Sequence, residues 1–226
     1  MQIKRLKKDK LKKEELIGLN KQRLTVNRTG PFFRRKEKVM KDTIIRTAKL
    51  EDAKEILDIY AYYVEHTAIT FEYAVPSLAR FQQRMKNIMQ RYPYIVVERD
   101  GKIQGYAYAG PFKARDAYDW SCETTIYLAF SAQKCGLGRK LYEELEQRLY
   151  DMGILNLYAC IGYPNVDDEY LTKNSAQFHA HLGFKKAGTF HQCGYKFGHW
   201  YDMIWMEKMI GEHEKEQPNV KFYDLI

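Results

Sequence analysis

Residues Glu123 to Arg139 read ETTIYLAFSAQKCGLGR, and their order decides the fold. Thr124 to Phe130 is strand-like. It runs into Gln133-Lys134-Cys135-Gly136-Leu137-Gly138, and a helical stripe of Leu137, Leu141, Leu145 and Leu149 follows at once. A glycine-rich turn therefore sits at a helix N-terminus, where the first amides have no intrahelical partner and the helix dipole adds positive potential. Glycines leave room for a phosphate to approach those amides. The stretch reads either as a pyrophosphate cradle or as a tight strand-to-helix turn without a ligand. No Gly-Lys-Ser/Thr follows, which excludes a Walker loop, and a third glycine is missing for a dinucleotide fingerprint.

Working outward, the folded part begins near Thr43 with a short strand to Thr47. Ala53, Ile56, Leu57, Tyr60 and Val64 recur at helical spacing. Pro76-Ser77 opens a second helix striped by Leu78, Phe81, Met85 and Met89, with Ser77 as N-cap. Tyr94–Arg99 and Lys102–Ala109 form two strands joined at Asp100-Gly101, a hairpin signal. Gly110-Pro111 reads as a break before a loop, Phe112 to Asp119. The central strand is Trp120 to Phe130. Gly153 stops the helix after the cradle. A buried strand, Ile154–Ile161, follows, then a polar loop, Pro164–Lys173, and a short helix, Asn174–Leu182. Phe184–Gln192 and Trp200–Met206 are the last strands. Antiparallel hairpins around one β-α-β unit indicate an α+β domain with a mixed sheet.

The 226 residues fit one domain with an appendage. The net charge of +8 is unevenly spread. Residues 1–41 hold 15 lysines and arginines against 4 acidic residues, whereas the remaining 185 hold 22 against 25. We therefore expect a basic extension over 1–41, a folded domain over 42–210 and a polar tail over 211–226. The basic segment reads as a solvated tail, as a contact for nucleic acid or an acidic partner, or as residues preceding a true start at Met40. Nucleic-acid binding is the least favoured of these. Cys122, Cys135, Cys160 and Cys193 match neither a CxxC pair nor a zinc spacing, and no metal is expected. Scattered cysteines, the lack of an apolar run of about 18 residues and the lack of a secretory h-region point to a cytoplasmic protein without a membrane span.

Two residues stand out for proton transfer. Alternation places Glu123, Thr125 and Tyr127 on one face of the central strand and Thr124, Ile126 and Leu128 on the other. Glu123 is the only side chain between Asp119 and Lys134 that is charged at neutral pH. Burial raises a carboxylate's pKa toward the range of a general base, although a structural glutamate paired with a lysine or arginine is an equal reading. His179 lies on the short helix that follows the next strand, so it can come beside the cradle; packing alone would also explain it. Asn165 and Asn174 are amide donors near the same strand end, or simple turn and cap residues.

In these residues the chain resembles the GNAT acyltransferases, and within them the phosphinothricin N-acetyltransferase type. QKCGLG matches the acetyl-CoA motif Gln/Arg-x-x-Gly-x-Gly/Ala. GKIQGYAYAGPFKARDAYDWSCETTIYL, ACIGYPN, HLGF and GYKFGHWYD follow the subfamily in order, from about Thr43 to Met209. The resemblance implies a central twisted mixed sheet of about six to seven strands with about four helices. It also implies direct acetyl transfer from acetyl-CoA to an amine. On that reading the strand before the cradle splays from its neighbour, and backbone groups of Ile126, Tyr127 and Leu128 hold the pantetheine arm. Lys134, Cys135, Gly136, Leu137, Gly138 and Arg139 hold the pyrophosphate, and Asn165 contacts the cofactor. Glu123 is the general base, directly or through water, and an N–H near Leu128 faces the oxyanion. His179 acts as the acid or positions the amine, and Arg115 binds an anionic group of the substrate.

The chain departs from that pattern in one place: Val166–Asn174 are extra residues between IGYPN and SAQFH. The expected acceptor is the amine of a small amino-acid-like compound such as phosphinothricin or methionine sulfoximine, and the expected assembly is a homodimer. The rival readings are an acetyltransferase acting on a protein or peptide amine, and a non-catalytic acetyl-CoA-binding protein that docks RNA through its basic tail.

Overall fold

The computed structural model describes residues 43–223. The expectations for residues 1–41 lie outside the described residues. Seven strands form one sheet in the order β1-β2-β3-β4-β5-β7-β6. They are β1 (Thr43–Thr47), β2 (Tyr94–Arg99), β3 (Lys102–Pro111), β4 (Ser121–Leu128), β5 (Asn156–Tyr163), β6 (Lys185–Lys196) and β7 (His199–Met209). All neighbours are antiparallel except β4 and β5, which the cradle and its helix connect as a parallel pair. Four helices cover the two faces: α1 (Ala53–His66), α2 (Leu78–Met89), α3 (Leu137–Met152) and α4 (Asn174–His181). This is the expected mixed sheet with flanking helices.

Local chemistry sets most boundaries. Asp100 and Gly101 both take positive φ, 54° and 71°, as a two-residue hairpin turn demands. Ser77 Oγ accepts from the Arg80 amide at 3.3 Å and caps α2. Gly153, at φ 90°, ends α3. Three stretches differ from the sequence reading. β3 continues through Gly110 to Pro111, which pairs with Cys122; a proline at the last strand position forfeits a single ladder donor, so it ends the strand without interrupting it. β4 stops at Leu128, because Phe130–Ala132 winds into a 3-10 turn. β6 runs on to Lys196 through a bulge between Phe190 and Gly194. There Gln192, at φ 46°, gives its amide to the Asp202 carboxylate at 2.8 Å.

Two cores lie on opposite faces of the sheet. On one, α1 and α2 bury Ile56, Tyr60, Tyr63, Phe81 and Met85 against Tyr94, Val96 and Tyr106. On the other, Leu141, Leu145 and Leu149 of α3 are wholly buried on the face of β2, β3 and β4. Each such leucine contributes about 1.5–3 kcal/mol by leaving water. The segment after β7 returns along the domain: the Trp120 indole donates to Pro218 O at 2.7 Å, and the Lys221 amide donates to Met152 O at 2.8 Å.

Candidate active site

The site begins where β4 and β5 part. They pair only over Ser121–Glu123 opposite Asn156–Tyr158, and beyond that β4 has no neighbour on this side. The Ala129 amide donates to Gln104 O at 2.8 Å, which puts alternate residues Tyr127, Thr125 and Glu123 in the β3 ladder. The backbones of Ile126 and Leu128 therefore face the wedge, while that of Tyr127 faces β3. The Leu128 carbonyl is already taken by the Tyr63 hydroxyl of α1 at 2.6 Å, and Gln133 Nε2 donates to the same hydroxyl at 3.1 Å. Tyr63 thus ties α1 to the strand end and to the turn that leads into the cradle. No local sequence pattern signals it.

A cleft of about 600 Å³ follows the wedge to the head of α3, past Tyr63, Ile126, Leu128, Lys134, Gly136, Gly138 and Arg139. Lys134 and Gly136 take positive φ, 56° and 81°. A side chain added at Gly136 would meet nothing within 4 Å, so that flank of the turn is open. At Gly138 an added Cβ would lie 3.3 Å from Leu128 and 3.4 Å from Phe178. The Lys140 amide donates the first intrahelical hydrogen bond, to Gly136 O at 3.3 Å. The amides of Leu137, Gly138 and Arg139 precede it and are left for a ligand. Leu137 buries its side chain in the core, and the Cys135 thiol turns back to Ala132 O at 2.8 Å. Of the two asparagines, Asn174 lines the cleft; Asn165 is exposed and its carbonyl accepts from Lys173 Nζ at 3.1 Å.

A second cavity of about 540 Å³ adjoins the first and shares Ile69, Ile126, Tyr127 and Ser175 with it. Glu123 and His179 both line it. Burial pushes the Glu123 carboxyl above its ordinary value, while the nearby Lys113 ammonium pulls the other way. Among the described residues no hydrogen bond or ion pair engages that carboxylate, which disfavours the reading of a structural, paired glutamate. Lys113 itself is steadied over the Phe112 ring, 5.0 Å from its centroid, and Phe112 stacks on Tyr158 at 4.2 Å. Arg115 lies exposed two residues further along the same loop and does not line the cavity. Lys113 was missed because the order of residues in FKAR does not show which cation turns toward the strand.

His179 is 4 % exposed and stands edge-on to Tyr142, Phe178 and Phe184. Its Nδ1 lies 2.8 Å from Ser175 O, and a carbonyl can only accept, so Nδ1 carries the hydrogen. Nε2 is then a buried lone pair with no protein partner among the described residues. Burial also lowers the pKa of the ring, the Ser175 bond opposing it. The imidazole is thus a neutral acceptor at ordinary pH. Next to it Thr124 Oγ1 and the Tyr142 hydroxyl are bonded to each other, and Thr124 also donates to Tyr158 O at 3.1 Å. No group of three or more His, Cys, Asp or Glu able to hold a metal gathers among the described residues.

A splayed parallel pair, an open cradle with two adjacent cations and a free carboxylate in the adjoining cavity suit a phosphate-bearing acyl carrier. Comparison with known proteins gives the same answer. Residues 45–205 match the family described as acetyltransferase (GNAT) domain, and the chain belongs to that family. The phosphinothricin N-acetyltransferase of Streptomyces viridochromogenes is 35% identical over 159 residues, covering 70% of this chain and 83% of that protein. The L-methionine sulfoximine/L-methionine sulfone acetyltransferase of Salmonella typhimurium is 31% identical over 170 residues, covering 75% and 95%. Among solved structures, a GNAT superfamily phosphinothricin acetyltransferase from Sinorhizobium meliloti in complex with AcCoA superposes with a TM-score of 0.72. It is 32% identical and covers 81% of this chain and 97% of that one. The protein is an acetyl-CoA-dependent N-acetyltransferase, and the cleft described above fits that co-substrate. No helix among the described residues is long and apolar enough to cross a membrane.

Proposed function

We propose that the acceptor is the α-amine of a small amino-acid-like compound of the phosphinothricin or methionine sulfoximine type, and that Glu123 takes its proton. One observation carries this reading: an unpaired, half-buried carboxylate opens on a cavity that joins the cofactor cleft at the wedge. When bound, acetyl-CoA supplies an activated thioester. The chain's own residues do the rest. The amides at the head of α3, with Lys134 and Arg139, hold the diphosphate, and Cys135, Leu137 and the glycines contribute backbone. Ile126 and Leu128 orient the pantetheine arm through their backbone groups, Tyr127 packing behind them. Asn174 takes the role the motif gives to Asn165.

An amino group is protonated at neutral pH and is no nucleophile in that form. Glu123, with its pKa raised, accepts the proton directly or through water. His179 holds the amine through its bare Nε2; acting as an acid would first require protonation, which its burial opposes. Lys113 and Arg115, on the loop between β3 and β4, are the cations for an acidic group of the acceptor, Lys113 lying nearer to Glu123. We further propose a homodimer in a reducing, cytoplasmic setting. The exposed Phe190, Tyr195 and Trp200 on the edge hairpin supply apolar surface for a second copy, and all four cysteines are free.

The test is product identity. The full chain is incubated with acetyl-CoA and, separately, phosphinothricin, methionine sulfoximine, methionine sulfone, polyamines and a peptide, and products are resolved by mass spectrometry and NMR. Acetylation at the α-nitrogen of the amino-acid-like compounds is expected. Acetylation of the peptide alone would overturn the assignment of the acceptor.

A further inference from the structure

One wall of the acceptor cavity is the loop that leaves α1, through Ile69, Thr70 and Phe71. This loop has no secondary structure of its own, so something else must fix it. One contributor is the extra segment between β5 and α4. Asp168, within that segment, accepts three hydrogen bonds. Its Oδ1 takes the amides of Tyr170 at 2.8 Å and Leu171 at 2.7 Å, and its Oδ2 takes the Tyr201 hydroxyl of β7 at 2.8 Å. These bonds, with His199 at 4.0 Å, hold its pKa below the ordinary carboxylate value against the opposing effect of burial. The turn they lock then reaches the wall directly. Tyr170 O accepts from the Ala68 amide at 3.0 Å.

Packing follows the same route. Ala68, Leu171 and Tyr201 form a small buried cluster separate from the two main cores, and Phe71 and Tyr170 pack on it. The Phe71 and Tyr201 rings stack at 6.4 Å, and Tyr170 stacks on Phe197 of the β6–β7 turn at 4.4 Å. Gly162 of β5 lies underneath, where an added Cβ would come within 3.1 Å of Ala68 O. Asp168 thus connects one side chain to both the polar and the apolar supports of the cavity wall, without itself lining the cavity.

We propose that Asp168 is a positioning residue: by locking the segment Val166–Asn174 against Tyr201 it holds the Ala68–Phe71 wall in register with Glu123, and so sets how tightly the acceptor is held. The inference rests on the acetyl-transfer reading only for its kinetic consequence. The contact from Tyr170 O to the Ala68 amide stands apart from that reading and has its own readout. Small displacements of a positioning wall cost rate and affinity out of proportion to their size.

The experiment compares Asp168→Ala, Asp168→Asn and Tyr201→Phe in the full chain. Amide hydrogen exchange at Ala68 and the separate KM values for acceptor and acetyl-CoA are measured with methionine sulfone as the acceptor probe. Asp168→Ala should speed exchange at Ala68 and raise acceptor KM, each by about tenfold, with acetyl-CoA KM within about twofold of the parent. Asp168→Asn keeps an oxygen for both amides and should restore most of each effect. Tyr201→Phe, which removes one bond, should fall between the two and serves if Asp168→Ala does not fold. Unchanged exchange at Ala68 overturns the proposal. So does a rise in both KM values together with only a loss of thermal stability, which would mark a merely structural residue. If the parent chain acetylates no small amine, the acceptor reading fails by itself, and the Ala68 exchange alone decides the positioning claim.

Discussion

Replacing Lys196 with methionine removes a buried ammonium that holds three backbone carbonyls. Lys196 is 2 % exposed, and its ammonium donates to Val64 O, Thr67 O and Thr70 O, each at 2.8 Å. It closes the C-terminal end of α1, where the last carbonyls lack intrahelical partners, and it anchors the start of the acceptor wall. Each bond from a charged donor contributes about 1.5–3 kcal/mol. Against that, removing the buried ammonium recovers several kcal/mol of desolvation, and methionine keeps most of the apolar stem in place. The three stranded carbonyls cost about 1–3 kcal/mol apiece unless water reaches them. The net loss should be about 3–5 kcal/mol, the stranded carbonyls outweighing the desolvation recovered.

For a chain of this size that loss corresponds to a fall in Tm of about 6–20 °C, at about 2–4 °C per kcal/mol. Urea unfolding of the parent and Lys196→Met measures it as a lower midpoint with an unchanged slope. Acceptor KM should rise alongside, because Thr70 and Phe71 line the cavity. A loss below about 1 kcal/mol would refute the reasoning, since the bonds would then be no better than those the groups make with water.

Other outcomes follow from the same contacts. Gly138→Val should raise acetyl-CoA KM by an order of magnitude or more, since even a Cβ there meets Leu128 and Phe178 at 3.3–3.4 Å and a branched side chain must turn into the cleft; isothermal titration with coenzyme A checks it. Gly194→Ala should raise acceptor KM and cost about 1–3 kcal/mol, because the new methyl group falls 2.3 Å from the Phe71 ring; steady-state kinetics and thermal unfolding read the two effects. Glu123 carries a raised folded-state pKa, so its contribution to stability is fully present below the ordinary value of 4.5 and is lost as pH rises through the folded value. The same ionisation should switch catalysis on. With saturating acceptor, kcat should rise with pH through an apparent pKa above 4.5, while stability falls across the same window; a profile already flat from pH 4.5 upward would contradict the burial argument.

Much of the site was legible in the sequence because its parts are local. Gly136 announces a turn that takes positive φ and stays open, Gly138 a close approach beside it, and the leucine stripe after them announces the helix whose amides face the turn. Alternation along β4 correctly separated the face of Glu123 from that of Ile126 and Leu128. What could not be read is long-range. Tyr63 reaches Leu128 O across 65 positions and Lys196 reaches Val64 O across 132, and neither leaves a periodic trace. The polar run His191–Gly194 looks like the end of a strand, yet Asp202 gives the bulge its partners and lets β6 continue to Lys196. Gly110-Pro111 looks like a break for a similar reason: composition alone does not show that Cys122 waits opposite Pro111. The choices between Asn165 and Asn174, and between Lys113 and Arg115, depend on how two irregular loops turn, which residue order does not fix.

The central claim is that Glu123 is the base in the cavity that adjoins the cofactor cleft. Its most direct test is thiol release from acetyl-CoA by the full chain and by Glu123→Gln, with methionine sulfoximine or phosphinothricin as acceptor and acetyl-CoA binding measured alongside. The account expects acceptor-dependent release by the parent, a fall in kcat of about 10²–10⁴-fold in the variant, and unchanged affinity for acetyl-CoA. Equal turnover by the two proteins, with acetyl-CoA bound alike, would contradict it.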